Sequence, residues 1–279
     1  MSSVSVNERI KNEIFSAENR EVFWTEEFCT KEDREFEGGR LVYDGVINEG
    51  ADSVVVFLLK DSVESGIQKD YENNRDLNPG VFDESETEER KKPWDLAATT
   101  KTEAEQQIEN YGKKDSFKHW PSICYWMEAL KTNPPSYNEI DENKDCRENL
   151  LDVAIINIKK TSGKGSSDDK ILDRITDKEN NVLAKKYCDI IKKEIKIISQ
   201  LKKVRLVICG GTFKYAKRIF SPVTIKPLEK SGAHYFVYNN IIFVEFIHPS
   251  QRGAAADKRI TYAYAKEVFS ELPSTQAQG

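Results

Sequence analysis

Ser53-Val54-Val55-Val56-Phe57-Leu58-Leu59 runs straight into Lys60-Asp61-Ser62. An unbroken β-branched and apolar run of this length reads as a strand buried on both faces. Working outward, three further segments share its character. Residues 151–158 form a second apolar run that leads into a Lys-Lys-Thr-Ser-Gly-Lys-Gly loop at 159–165. Residues 204–209 form a third, closed by Gly210-Gly211. Residues 241–247 form a fourth, which enters His248-Pro249-Ser250. Helical spacing fills the gaps. Residues 117–130 carry Trp120, Ile123, Trp126, Met127 and Leu130 and end at Asn133-Pro134-Pro135. Residues 180–201, 213–220 and 252–272 complete the series. Asn239-Asn240 between two apolar runs is a two-residue hairpin signal.

Strand and helix in alternation predict a parallel sheet covered on both faces. The expected fold is therefore α/β, a three-layer sandwich with a mostly parallel central sheet and 53–59 at its centre. Residues 1–52 read as a helical and loop extension, and 53–272 as one domain. An acidic, weakly periodic insertion occupies about 61–115, and 273–279 form a tail.

The chain has 279 residues, enough to bury a sizeable core. Its net charge of −5 conceals an asymmetry. Residues 1–150 carry 19 basic against 34 acidic residues, and 151–279 carry 23 against 13. The basic half is suited to phosphate and the acidic half opposes nonspecific DNA binding, although charged helix faces give the same pattern. The five cysteines are scattered with no C-x-x-C pair, which points to reduced thiols in a cytoplasmic protein and to no zinc or iron–sulfur site. No stretch of about 20 apolar residues is present, so no membrane partner is expected. The first nine residues lack the basic and apolar regions of a signal peptide.

In parallel α/β sheets ligands bind beyond the carboxyl ends of the strands. Those ends carry Asp61, Asn157, Gly210-Gly211 and His248. Each has an ordinary role taken singly: a helix cap, a turn, a loop histidine. Their joint placement points to one pocket.

In order and spacing the four ends resemble the uracil-DNA glycosylase superfamily. Val55-Val56-Phe57-Leu58-Leu59-Lys60-Asp61 is similar to its first motif, with Asp61 in the acidic, water-positioning place. Val153-Ala154-Ile155-Ile156-Asn157 is similar to the strand that ends in a base-reading Asn. Leu206 to Gly211 is similar to its small-residue turn, and His248-Pro249-Ser250 to its last motif. The resemblance covers roughly 53–270. It implies cleavage of the N-glycosidic bond of uracil or a modified base. Asp61 and His248 would be catalytic and Asn157 base-binding, with no cofactor and no metal. His248 would donate to the departing base, and Asp61 would orient the water. A non-catalytic module that binds a nucleotide or modified base is the alternative.

Two departures bear on the partner. Leu59 and Ser62 replace the family's Gly and Pro around the acid, and Gln251-Arg252-Gly253 replaces its apolar wedge. Both weigh against a duplex and favour a single strand or a nucleotide. Contacts to nucleic acid are expected from Lys159, Lys160, Lys164, Ser250, Arg252, Lys258 and Arg259.

Overall fold

In the computed structural model, residues 4–25, 27–28, 42–60, 94–95, 120–140, 145–161, 169–249 and 257–273 are described. Two short helices open the chain, α1 (Val6–Ile14) and α2 (Ala17–Phe23). Each begins at a serine whose hydroxyl accepts a backbone N–H, Ser5 from Glu8 and Ser16 from Asn19. Strands β1 (Val42–Tyr43), β2 (Gly45–Val46) and β3 (Ser53–Leu59) follow, then β4 (Trp94–Asp95). Helices α3 (Trp120–Ala129) and α4 (Asp145–Leu151) precede β5 (Val153–Asn157). Next come α5 (Asp169–Ile175), α6 (Val182–Leu201), β6 (Lys203–Gly210) and α7 (Phe213–Phe220). The chain closes with β7 (Lys226–Pro227), β8 (His234–Tyr238), β9 (Ile241–Phe246) and α8 (Lys258–Glu271).

Seven strands form one sheet in the order β2-β5-β3-β6-β9-β8-β7, while β1 and β4 pair separately. The four strands expected from the sequence lie together, and β5, β3, β6 and β9 are mutually parallel. The flanking strands are antiparallel, so the sheet is mixed with a parallel middle. Strand β3 lies between β5 and β6.

Strand alternation divides the core in two. Val54, Val56 and Leu58 of β3 and Ala154 and Ile156 of β5 face α1, α2, α5, α6 and α7. Phe57, Val153, Ile155, Leu206 and Ile208 face α3, α4 and α8. Helices therefore cover both faces. The N-terminal segment takes part in this core: Ile10, Ile14, Phe23 and Phe28 are buried with α6, and Gly45–Val46 adds a strand to the sheet edge. The boundary near residue 151 shifts, because Leu151 is the last residue of α4 and the strand begins at Val153. The insertion at 61–115 falls outside the described residues apart from 94–95, and the tail apart from Pro273.

The hairpin signal is borne out. Asn239 and Asn240 have φ of +50° and +63°, the left-handed pair that a two-residue hairpin turn needs and that Asn tolerates. Phe243 of β9 stacks on Phe236 at 4.8 Å and meets Phe220 of α7 at 4.5 Å. Phe243→Ala is expected to cost about 3–5 kcal/mol in urea unfolding, from lost burial plus the cavity left behind. Val237→Ala, at a site 46% exposed on the same hairpin, should stay within about 0.5 kcal/mol.

Candidate functional site

The carboxyl edge of the parallel strands is built around two glycines. Gly210 ends β6, and a Cβ there would stand 2.9 Å from Leu59 Cδ2 and 3.2 Å from Pro249 Cδ. Gly211 has φ +66°, and its Cβ would stand 3.2 Å from that of His248. Its N–H donates to the carbonyl of Phe246 at 2.8 Å, and the hydroxyl of Thr212 donates to the carbonyl of Leu58 at 2.6 Å. The missing side chains thus let the end of β3 and the segment after β9 close on β6. His248 is half-buried beside Gly211.

Lys60, just past β3, forms an ion pair with Asp169 at 3.0 Å. The Tyr215 hydroxyl donates to the same carboxylate at 2.9 Å. The hydrogen bond from Lys60 is the main reason that the Asp169 carboxyl is held below its usual range. Asp61 follows Lys60 in the chain and lies outside the described residues, as do Lys164, Ser250 and Arg252.

Asn157 ends β5, opposite Leu59 in the ladder, yet its side chain is turned away from the glycine pair. Its Nδ2 donates to Asp44 Oδ1 at 2.7 Å and its backbone N–H to Asp44 Oδ2 at 2.8 Å. It is 1% exposed. Two strands separate β5 from β9, so Asn157 and His248 are roughly three strand spacings apart, about 14 Å. The edge brings Lys60, Gly210, Gly211 and His248 together, and Asn157 belongs to a second group.

That group is a buried ion cluster. The Nζ of Lys160 donates to Asp44 Oδ2 and, at 2.5 Å, to Glu194 Oε2. All three side chains are 0% exposed. The Lys160 backbone N–H donates to the Tyr187 hydroxyl at 2.8 Å, and Phe23 and Phe28 pack edge-on against the Tyr187 ring. Burial pushes the Asp44 carboxyl up against the opposing pull of Lys160 and Asn157. Burial likewise pushes Glu194 up to about 7, helped by the negative charge of Asp44. Burial lowers Lys160, and the two carboxylates outweigh it and raise it.

Two of the expected phosphate contacts are thereby corrected. Lys160 is 0% and Lys159 4% exposed, so neither amine reaches a phosphate on the surface. For Lys160 the cause is visible in α6, where Glu194 interrupts the apolar stripe of Tyr187, Ile190, Ile191, Ile197 and Ile198. A carboxylate in such a stripe needs a cation, and Lys160 supplies it. Arg259 is exposed and Lys258 half-buried, its amine 5.7 Å from the centre of the Tyr125 ring, in the first turn of α8, where Asp257 caps the helix.

Sequence reasoning passed over one pair at this edge. His234 Nδ1 meets Glu245 Oε2 at 2.7 Å, and its ring lies over Phe213 at 6.5 Å. The two residues stand five positions before Asn239 and five after Asn240, so the turn itself fixes their opposition. A cavity of about 610 Å³ opens elsewhere, between the C-terminal ends of α5 and α7. Its walls include Asp173, Arg174, Lys178, Lys217 and Arg218, and nothing from the ends of β3, β6 or β9. Among the described residues no group of His, Cys, Asp and Glu is arranged to hold a metal ion, and no helix is long and apolar enough to cross a membrane. No family model matches the chain, and neither do any curated protein or solved structure.

The buried cluster gives a signed pH dependence. Glu194 titrates near 4.5 when exposed and near 7 when folded. A carboxyl raised by folding stabilises below its unfolded value, and that stability is lost as pH rises through the folded value. The unfolding midpoint should therefore fall from about pH 4.5 to about 7, and Glu194→Gln should flatten the fall. Denaturant titrations at steps across that window measure it. Equal slopes in the two proteins would remove Glu194 as the cause.

Proposed function

We propose that the chain is a hydrolase of the uracil-DNA glycosylase type, cleaving the N-glycosidic bond of uracil or a modified base in single-stranded DNA or in a nucleotide. The observation that carries this reading is the seating of His248-Pro249 against Gly210-Gly211 at the carboxyl edge. The parallel strands run β5-β3-β6-β9, so the connection from the first strand leads one way and the later ones the other. The edge between β3 and β6 is thus the topological switch point, where open α/β sheets hold their ligands. Lys60 ends one side of that crevice and Gly210-Gly211-Thr212 the other. Asp61 is the residue after Lys60 in the chain.

The chemistry asks for three things. A base must be out of its stack, which costs a few kcal/mol in a duplex and less in a single strand. A donor must meet the charge that develops on the departing base, and a water must be held against the sugar carbon. An imidazole N–H from His248 answers the second need without full proton transfer. The Asp61 carboxylate answers the third.

Asn157 enters the reading differently from its expected part. Asp44 fixes its amide orientation, with Nδ2 committed to the carboxylate. Burial at 1% exposure makes it a positioning residue for the β5 end. Asn157→Asp would set a second carboxylate against Asp44. It is expected to lower stability by roughly 3–5 kcal/mol, the cost of an uncompensated buried charge, and not to change the base accepted.

The test is base release from uracil-containing single strands, scored as abasic sites. His248→Ala should cut turnover by about a hundredfold or more, because one lost oxyanion donor costs about 2.7–4 kcal/mol, and should leave binding nearly intact. Binding should weaken steeply with salt as phosphate neutralisation by residues such as Lys258 and Arg259 releases counterions. Absence of release by the wild type, with nucleotide binding retained, would assign the chain to the non-catalytic binding module instead.

A further inference from the structure

The Lys160 cluster carries an inference independent of the glycosylase reading. We propose that Lys160 and Asp44 condense into an intramolecular amide inside the folded protein, with Glu194 as the group that moves the protons.

An amide of this kind needs an amine, a carboxyl, a proton carrier and no water. Lys160 Nζ touches Asp44 Oδ2, and Glu194 Oε2 lies 2.5 Å from the same amine. None of the three side chains is exposed. An amine in hydrogen-bond contact with a carboxyl oxygen is within reach of the carboxyl carbon, since productive approaches begin at about 3–3.5 Å. The elements that hold the groups are fixed independently: Asp44 by the sheet edge before β2, Lys160 by the end of β5, Glu194 by the middle of α6. Among the described residues, Asp44 and Glu194 are the charged groups that act on the amine, with Asn157 set against Asp44.

The donors also lie where a tetrahedral intermediate needs them. Asn157 directs Nδ2–H to Asp44 Oδ1 and its backbone N–H to Oδ2. These meet the negative charge that grows on the carboxyl oxygens during attack. Glu194 Oε1 has no hydrogen-bond partner among the described residues, so it is open to carry a proton. Its raised affinity for protons suits that task.

The step balances as follows. The ammonium of Lys160 passes one proton to the Asp44 carboxylate, leaving a neutral amine and a neutral acid. The nitrogen lone pair attacks Asp44 Cγ. Glu194, protonated, gives its proton to the departing hydroxyl and takes the second proton from nitrogen. The Nζ–Cγ bond forms, the Cγ–O bond breaks, one water leaves and Glu194 ends as it began. No oxidant or other reactant is needed. The drive is electrostatic, because two buried charges become one neutral amide.

The test is the intact mass of the denatured full chain. The expected result is a mass lower than the 32.0 kDa sequence mass by one water. Trypsin should then yield residues 41–60 joined to residues 160–164, with Lys160 uncleaved. Glu194→Gln, if folded by circular dichroism, should show a smaller condensed fraction at equal age. Wild-type protein at full mass, with peptide 41–60 unlinked and Lys160 cleaved to release 161–164 after prolonged incubation in the folded state, would overturn the proposal. A link from Lys160 to peptide 194–196 would overturn the choice of Asp44 as the carboxyl. The wild-type measurement decides the bond even if the variant does not fold.

Discussion

Strand β3 has nowhere to sit except the interior. Val54, Val56, Phe57 and Leu58 are at most 2% exposed, and they alternate between the two faces. Fully burying each such side chain contributes about 1.5–3 kcal/mol, so leaving either face of β3 in water would forfeit a large part of the stability of an ordinary domain. Its backbone groups are equally demanding, and β5 and β6 take them from either side. Two helical layers and an interior place in the sheet, third of seven strands with β6 and not β3 at the centre, follow from that one strand. The parallel run of its neighbours then gathers the loops after β3, β6 and β9 at one edge.

The end of β5 obeys a different constraint. There the chain leaves Asp44, Lys160 and Glu194 without water, and each ion alone would be costly. Together they are tolerable only while their geometry holds, because removing one partner leaves the others uncompensated. The cluster therefore ties three distant parts of the sequence to one arrangement. It also links the N-terminal segment to the end of β5: Phe23 and Phe28 pack edge-on against Tyr187, whose hydroxyl accepts the Lys160 backbone N–H. An apolar cover of this kind keeps the dielectric low around the ions, which strengthens their attraction and raises the cost of any opening.

Much of this architecture is legible in the sequence, and the parts that are not fail for identifiable reasons. The four apolar runs announce parallel strands because both faces must be apolar, and they lie side by side as expected. The Asn239-Asn240 turn is equally plain, since few residues accept two positive φ values in succession. Lys159 and Lys160 mislead because a lysine pair before a glycine-rich loop looks solvated. The burial of Lys160 depends on Glu194, 34 positions away, and on Asp44, 116 away. Pairings at that separation leave no local period. The one available clue is a glutamate at an apolar position of α6, which requires a cation without saying which. Asn157 misleads for a related reason. A strand end locates it in the chain, but the direction of its amide is set by Asp44 across the sheet edge.

The His234–Glu245 pair shows why strand ends are an incomplete guide to such an edge. Asp61, Asn157 and His248 are all candidates because they follow or end parallel strands. Strand β8 runs antiparallel to β9, so its amino end arrives at the same edge. His234 is the first residue of β8 and faces Glu245, one position before the end of β9. Its ring also lies over Phe213, which begins the helix that follows the glycine pair. The edge that collects polar side chains is thus defined by position in the sheet and not by chain direction. An antiparallel hairpin at the side of a parallel sheet delivers the beginning of one strand beside the end of the next. In this protein that rule adds a carboxylate-bound imidazole to the carboxyl edge of the parallel strands.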